Sequence, residues 1–140
     1  MGMYTGLKLD VTLHETEFLL IKPALDFMVG PQDAKVPPEC ADHPLFECER
    51  WRGMFFSSSS YLDKDFEAPP KLVGNRLTVE FNLKNYDGEI EYLMDWISPF
   101  VVTVHTGFYQ YEEMIGMVPV SLKDGKLEID KMHKNNRMDY

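Results

Sequence analysis

The strongest constraint on how this chain folds is residues 76–102, RLTVEFNLKNYDGEIEYLMDWISPFVV. Leu77, Val79, Phe81 and Leu83 alternate with Thr78, Glu80, Asn82 and Lys84, the two-residue period of a strand that buries one face. Ile90, Leu93, Met94 and Ile97 then recur at i, i+3, i+4 and i+7, which lines one side of a helix with apolar groups. Asp87 stands where an N-cap accepts from the unpaired amides of a first turn. Pro99 is expected to stop the helix by steering Ser98 away from helical angles. Val101, Val102 and Val104 follow as β-branched residues suited to another strand. The unit reads strand, helix, strand, and the other segments have to be fitted around it.

Upstream, Leu7, Leu9, Val11 and Leu13 alternate with Lys8, Asp10 and Thr12, a second clean strand pattern. Phe18, Ile21, Leu25 and Met28 fall on one helical side, and Pro23 either bends that helix or opens a shorter one reaching about Val29, before Gly30 and Pro31. Residues 30–44 form a long proline-rich connection, and residues 45–51 a short helical turn. Residues 53–60, GMFFSSSS, read as a weak edge strand, and residues 61–75 as another connection. Residues 101–113 read as a strand bent at Gly107. Residues 117–122 and 126–129 flank Asp124-Gly125, a favoured pair for a two-residue hairpin, with Pro119 placing the first arm at a sheet edge.

The element order is β-α-β-β-α-β with an appended hairpin. It predicts an α+β fold of ferredoxin-like plan: an antiparallel sheet, two helices on one face and a C-terminal β-hairpin, in one domain over residues 1–130. Residues 131–140, KMHKNNRMDY, read as a polar, flexible tail. The first and third strands lie side by side, so Lys8, Asp10, Thr12, Thr78, Glu80, Asn82 and Lys84 are expected on a polar face without helical cover. That face or an exposed edge would serve if the chain forms a homodimer.

Charge narrows the partners. Basic residues number 14 against 23 acidic ones, a net charge of -9. Nucleic-acid backbones and anionic membranes are bound by displacing counterions with Lys and Arg, so both are disfavoured and a basic protein surface is favoured. No apolar run approaches the roughly 20 residues that span a bilayer. The first residues, MGMYTGLKLD, lack the order of a secretory signal, and two cysteines make no disulfide framework; a cytoplasmic protein is expected.

Catalytic motifs are sparse. Cys40, His43 and Cys48 have local metal-ligand flavour but lack a fourth partner, so no metal and no cofactor are expected. His105 with Glu112 or Glu113 makes a conceivable acid/base pair, yet no nucleophile elbow or phosphate loop accompanies it. Trp51, Arg52, Tyr109, Tyr111, Glu112 and Glu113 instead group amphipathic and charged residues of the kind enriched at binding hot spots. The plainer reading makes Trp51 and a tyrosine part of the core.

The run FNLKNYDGEIEYLMDWISPF, the opening YTGLKLDVTL and the YEE of residues 111–113 resemble small uncharacterised accessory proteins of tailed phages and prophages over about a third of the chain. That resemblance carries no catalytic residues; it implies a factor that binds and inhibits a host protein, including defence components. The leading expectation is a non-enzymatic binding protein acting on a host protein in the host cytoplasm. One rival is a sponge that sequesters a small nucleotide signal between subunits through Arg52, Asn82 and a stacking aromatic. The other is a small hydrolase built on His105 with Glu112 or Glu113.

Overall fold

In a computed structural model the chain forms β1 (Tyr4–Thr12), α1 (Lys22–Val29), β2 (Lys71–Val73), β3 (Arg76–Lys84), α2 (Glu89–Ile97), β4 (His105–Tyr111), β5 (Val118–Lys123) and β6 (Lys126–Ile129). Residues 4–30, 43–48, 51–57, 69–85, 88–111 and 117–129 are described. The strands make one six-stranded antiparallel sheet in the order β2-β3-β1-β4-β5-β6. The architecture is α+β, as the patterning predicts.

The two strands with the clearest alternation pair along their whole length, Leu7 opposite Phe81 and Leu9 opposite Val79. Directly opposed residues share a face, so both apolar rows point the same way. Leu7, Leu9, Val11, Leu77, Val79 and Phe81 are all buried, and they join Ala24, Leu25 and Met28 of α1 and Ile90, Leu93 and Ile97 of α2 in one core. Each of these side chains larger than Ala24 gains about 1.5–3 kcal/mol by leaving water.

Local chemistry explains the helix ends. Pro23 opens α1 from its first turn, where its missing N–H costs nothing, while Glu17–Leu20 forms a separate 3₁₀ turn before it. At α2 the cap falls on Gly88 in the left-handed region, and Asn85 Oδ1 accepts the Ile90 N–H at 2.9 Å. Asp87 lies outside the described residues. Pro99 ends the α-helix as expected, but Ser98 keeps helical angles (φ -51, ψ -44), and the chain tightens into a 3₁₀ turn over Ser98–Phe100. Proline at the second position of that turn needs no donor, so the predicted bias on Ser98 is overridden.

Three strand expectations are corrected. Residues 53–60 supply no strand among their described part: Met54–Phe56 is a 3₁₀ turn, with Met54 and Phe55 buried. The short second strand is Lys71–Val73, within what reads as a connection, because Gly74-Asn75 turns it back onto β3 with Val73 opposite Arg76. Pro119 is not on an edge strand, since β5 lies between β4 and β6; among the described residues β6 pairs only from Val120 onward. Asp124 (φ 51) and Gly125 (φ 78) make the expected hairpin turn.

Candidate functional site

Two grooves and a charge pattern stand out among the described residues. The first groove lies on the helix-free face, where the β4–β5 register shifts between His105 and Gly107. At that bulge Gly107 has φ 151, and a Cβ there would come 1.7 Å from the Lys8 carbonyl oxygen, so the backbone of β4 reaches β1 only through glycine. The bulge turns Phe108 and His105 outward beside Asp10, Pro119 and Ser121, around a groove of about 480 Å³. Phe108 is 45% exposed. Arg76 grips Asp10 with two bonds, Nε to Oδ1 at 2.8 Å and Nη2 to Oδ2 at 2.6 Å. Those bonds hold the Asp10 carboxyl below its ordinary value of 3.8, outweighing the opposing effect of burial with help from the adjacent guanidinium charge.

Among the described residues His105 has no hydrogen-bond partner, and the nearby carboxylate is committed to Arg76. Glu112 and Glu113 lie outside the described residues.

The aromatic cluster read from the sequence comes apart. Trp51 is buried, 5.5 Å from the Phe27 ring and 4.8 Å from Phe46, as part of the layer beneath α1 and α2. Tyr109 is buried opposite Leu7, and Tyr111 packs partly buried against the same core. The two tyrosines do share a face, as alternation predicts, but it is the helix-covered one, and Phe108 between them is the exposed aromatic. Arg52 is exposed on the segment after Trp51. No hydrogen bond or ion pair among the described residues joins it to Asn82.

Asn82 departs from the expected solvent-facing position. Its backbone N–H donates to the Ser57 carbonyl at 3.0 Å, because residues 51–57 run along the part of β3 that the short β2 leaves uncovered. Its carboxamide is buried, and among the described residues neither Nδ2 nor Oδ1 has a hydrogen-bond partner; across Gly6 the Gln110 Oε1 is likewise buried without one among them.

Of the loop cysteine and histidine motif, His43 and Cys48 are described, and both make local contacts. His43 Nδ1 accepts the Leu45 N–H at 3.0 Å, so the ring proton sits on Nε2, 2.9 Å from Asp95 Oδ2. Cys48 Sγ lies 3.6 Å from the Pro44 carbonyl oxygen. Cys40 is outside the described residues, and among those described no three His, Cys, Asp or Glu side chains gather as a metal site.

Charge is divided between the two sides of the sheet, a feature the linear sequence hides. On the helix-bearing side Glu15, Glu17, Asp26, Glu47, Glu91 and Asp95 are exposed, against Lys22 and Arg52; Lys22 is tied to Asp26 at 2.7 Å. The opposite side of β1–β3 carries Lys8, Lys71, Arg76 and Lys84 with Asp10 and Glu80. The second groove, about 380 Å³, lies at the acidic side between α2 and β6. No helix among the described residues is long and apolar enough to cross a membrane. Comparison with family models, with curated proteins and with solved structures finds no match.

Proposed function

We propose that the chain is a non-enzymatic binding protein whose acidic, helix-bearing side docks on a basic protein surface. The observation that carries this reading is the division of charge among the described residues, with six exposed carboxylates against Lys22 and Arg52 on the helix-bearing side. A single-signed surface accelerates encounter with an oppositely charged partner and repels others. The partner class, a host protein bound and inhibited in the host cell, draws its support from the resemblance to small phage accessory proteins. The accompanying fold reading is the ferredoxin-like plan, supported by the inner order β2-β3-β1-β4; the six-stranded order departs from it by adding β5 and β6 beyond β4.

The test is affinity capture from bacterial lysate followed by binding measurements with the captured protein. Reversing Glu15, Glu17 and Asp26 to Lys together should weaken binding at least tenfold and flatten its salt dependence. Undiminished binding by that variant would overturn the reading.

One observation favours a second reading, a sponge for a small nucleotide. A buried carboxamide with both polar atoms unpaired among the described residues, at Asn82, offers the donor–acceptor edge that matches a nucleobase such as adenine. Mass spectrometry of small molecules released from the purified protein decides it: a nucleotide retained by the natural chain and lost in Asn82→Leu supports the sponge, and none in either removes it. The hydrolase reading gains no geometric support from His105.

A further inference from the structure

The groove between α2 and β6 combines three things that a strand-shaped ligand needs. The first is an open edge. β6 ends the sheet among the described strands. Leu122 donates its N–H to the Val104 carbonyl at 2.8 Å, toward β4, so its register partner Leu127 directs its own backbone groups away from the sheet. The Leu127 N–H is accordingly met from outside, by Ser98 Oγ at 2.9 Å. Ile129, two residues on, has the same outward orientation. With the Leu127 N–H occupied, the outward pair left among the described residues is the Leu127 carbonyl and the Ile129 N–H. One residue of a parallel strand lying opposite Glu128 satisfies both.

The second is an apolar floor and the third a charged rim. Met94, Leu127 and Ile129 line the floor, while Glu91, Asp95 and Glu128 stand around it with Lys126 at one end. Asp95 is further fixed by His43. Alternate residues of an added strand point to opposite sides, so one set meets the floor beneath the Glu91 and Asp95 rim and the other runs beside Glu128 on the far side of the sheet.

Resting on the binding reading above, we propose that this groove takes a short extended peptide of alternating apolar and basic residues, added parallel to β6 as a seventh strand. The occupant is a basic segment of the partner protein. Main-chain bonds to Leu127 and Ile129 give affinity, and the carboxylates of Glu91, Asp95 and Glu128 select Lys or Arg over acidic side chains.

The experiment uses the full chain and a defined probe, acetyl-(Lys-Val)₃-amide with a fluorescent label, beside the matching (Glu-Val)₃ peptide. The Lys peptide should bind at least tenfold tighter than the Glu peptide. Ile129→Pro, which removes only an outward N–H, should weaken it at least tenfold, and its amide neighbours should lose their slowed hydrogen exchange. The double reversal Glu91→Lys/Glu128→Lys alters exposed or half-exposed side chains and serves if the proline variant fails to fold; it should weaken binding at least as much. Equal binding of the two peptides, no binding of the Lys peptide, or full affinity in the foldable variants would overturn the groove. If the probe binds but responds only to reversal of Glu15, Glu17 and Asp26, the groove is wrong while the acidic docking side stands.

Discussion

Trp51 is where a binding hot spot and a core residue make opposite predictions. Its ring packs between Phe27 and Phe46, away from solvent. Trp51→Ala should therefore cost about 3–5 kcal/mol of stability in urea unfolding. Conditions that keep the variant folded should leave partner affinity within twofold. Asp10 gives a residue-scale prediction in pH. Its folded value is depressed, so the Arg76 contact contributes stability that is complete above the ordinary carboxylate value of 3.8 and lost as pH falls through the lower folded value. Asp10→Asn removes that dependence. The natural chain should lose more stability than the variant between pH 5 and pH 2, measured by thermal unfolding, and the two should differ most near neutrality. Both groups are well exposed, so the effect is small.

At the scale of elements, two glycines separate steric from dihedral demands. Gly125 has φ 78 with open space around it, so Gly125→Ala meets only the left-handed penalty, about 1 kcal/mol. Gly107 has an unfavourable φ and a carbonyl oxygen at 1.7 Å from the added carbon. Gly107→Ala should cost about 3 kcal/mol or more, since β4 must leave β1 or the bulge must reorganise. Chemical denaturation of the two variants side by side checks the contrast, and near-equal losses would contradict it. The hairpin turn was legible because Asp-Gly is a local signal. The 53–60 segment was misread because alternation of Met54, Phe55 and Phe56 does not distinguish a short strand from a turn that buries two of the three. The true β2 has only three residues and owes its pairing to the turn at Gly74-Asn75 and the neighbouring β3.

For the whole molecule, the net charge is a poor description of the surface. Among the described residues most exposed carboxylates lie on the helix side, while Lys8, Lys71, Arg76 and Lys84 share the far side of β1–β3 with Asp10 and Glu80. Partner affinity should accordingly fall steeply with salt, by about tenfold or more between 50 and 500 mM, as exposed charges separated by more than a Debye length are screened. A salt-independent affinity measured by calorimetry would point to an apolar interface, such as the Phe108 groove.

The sequence alone determined which segments are strands and helices wherever a period of two or 3.6 runs for several residues, and with it the α+β class and the apolar rows of β1, β3 and α2. These are one-dimensional properties, because each residue's direction follows from its neighbours along the chain. The tertiary structure decided the rest. It put Tyr109 and Tyr111 under the helices and Phe108 outside, buried Asn82 beside residues 51–57, joined Ser98 to the edge of β6 and sorted the charges to two sides. Each of those outcomes depends on register and on contacts between residues far apart in sequence, which local patterning does not encode.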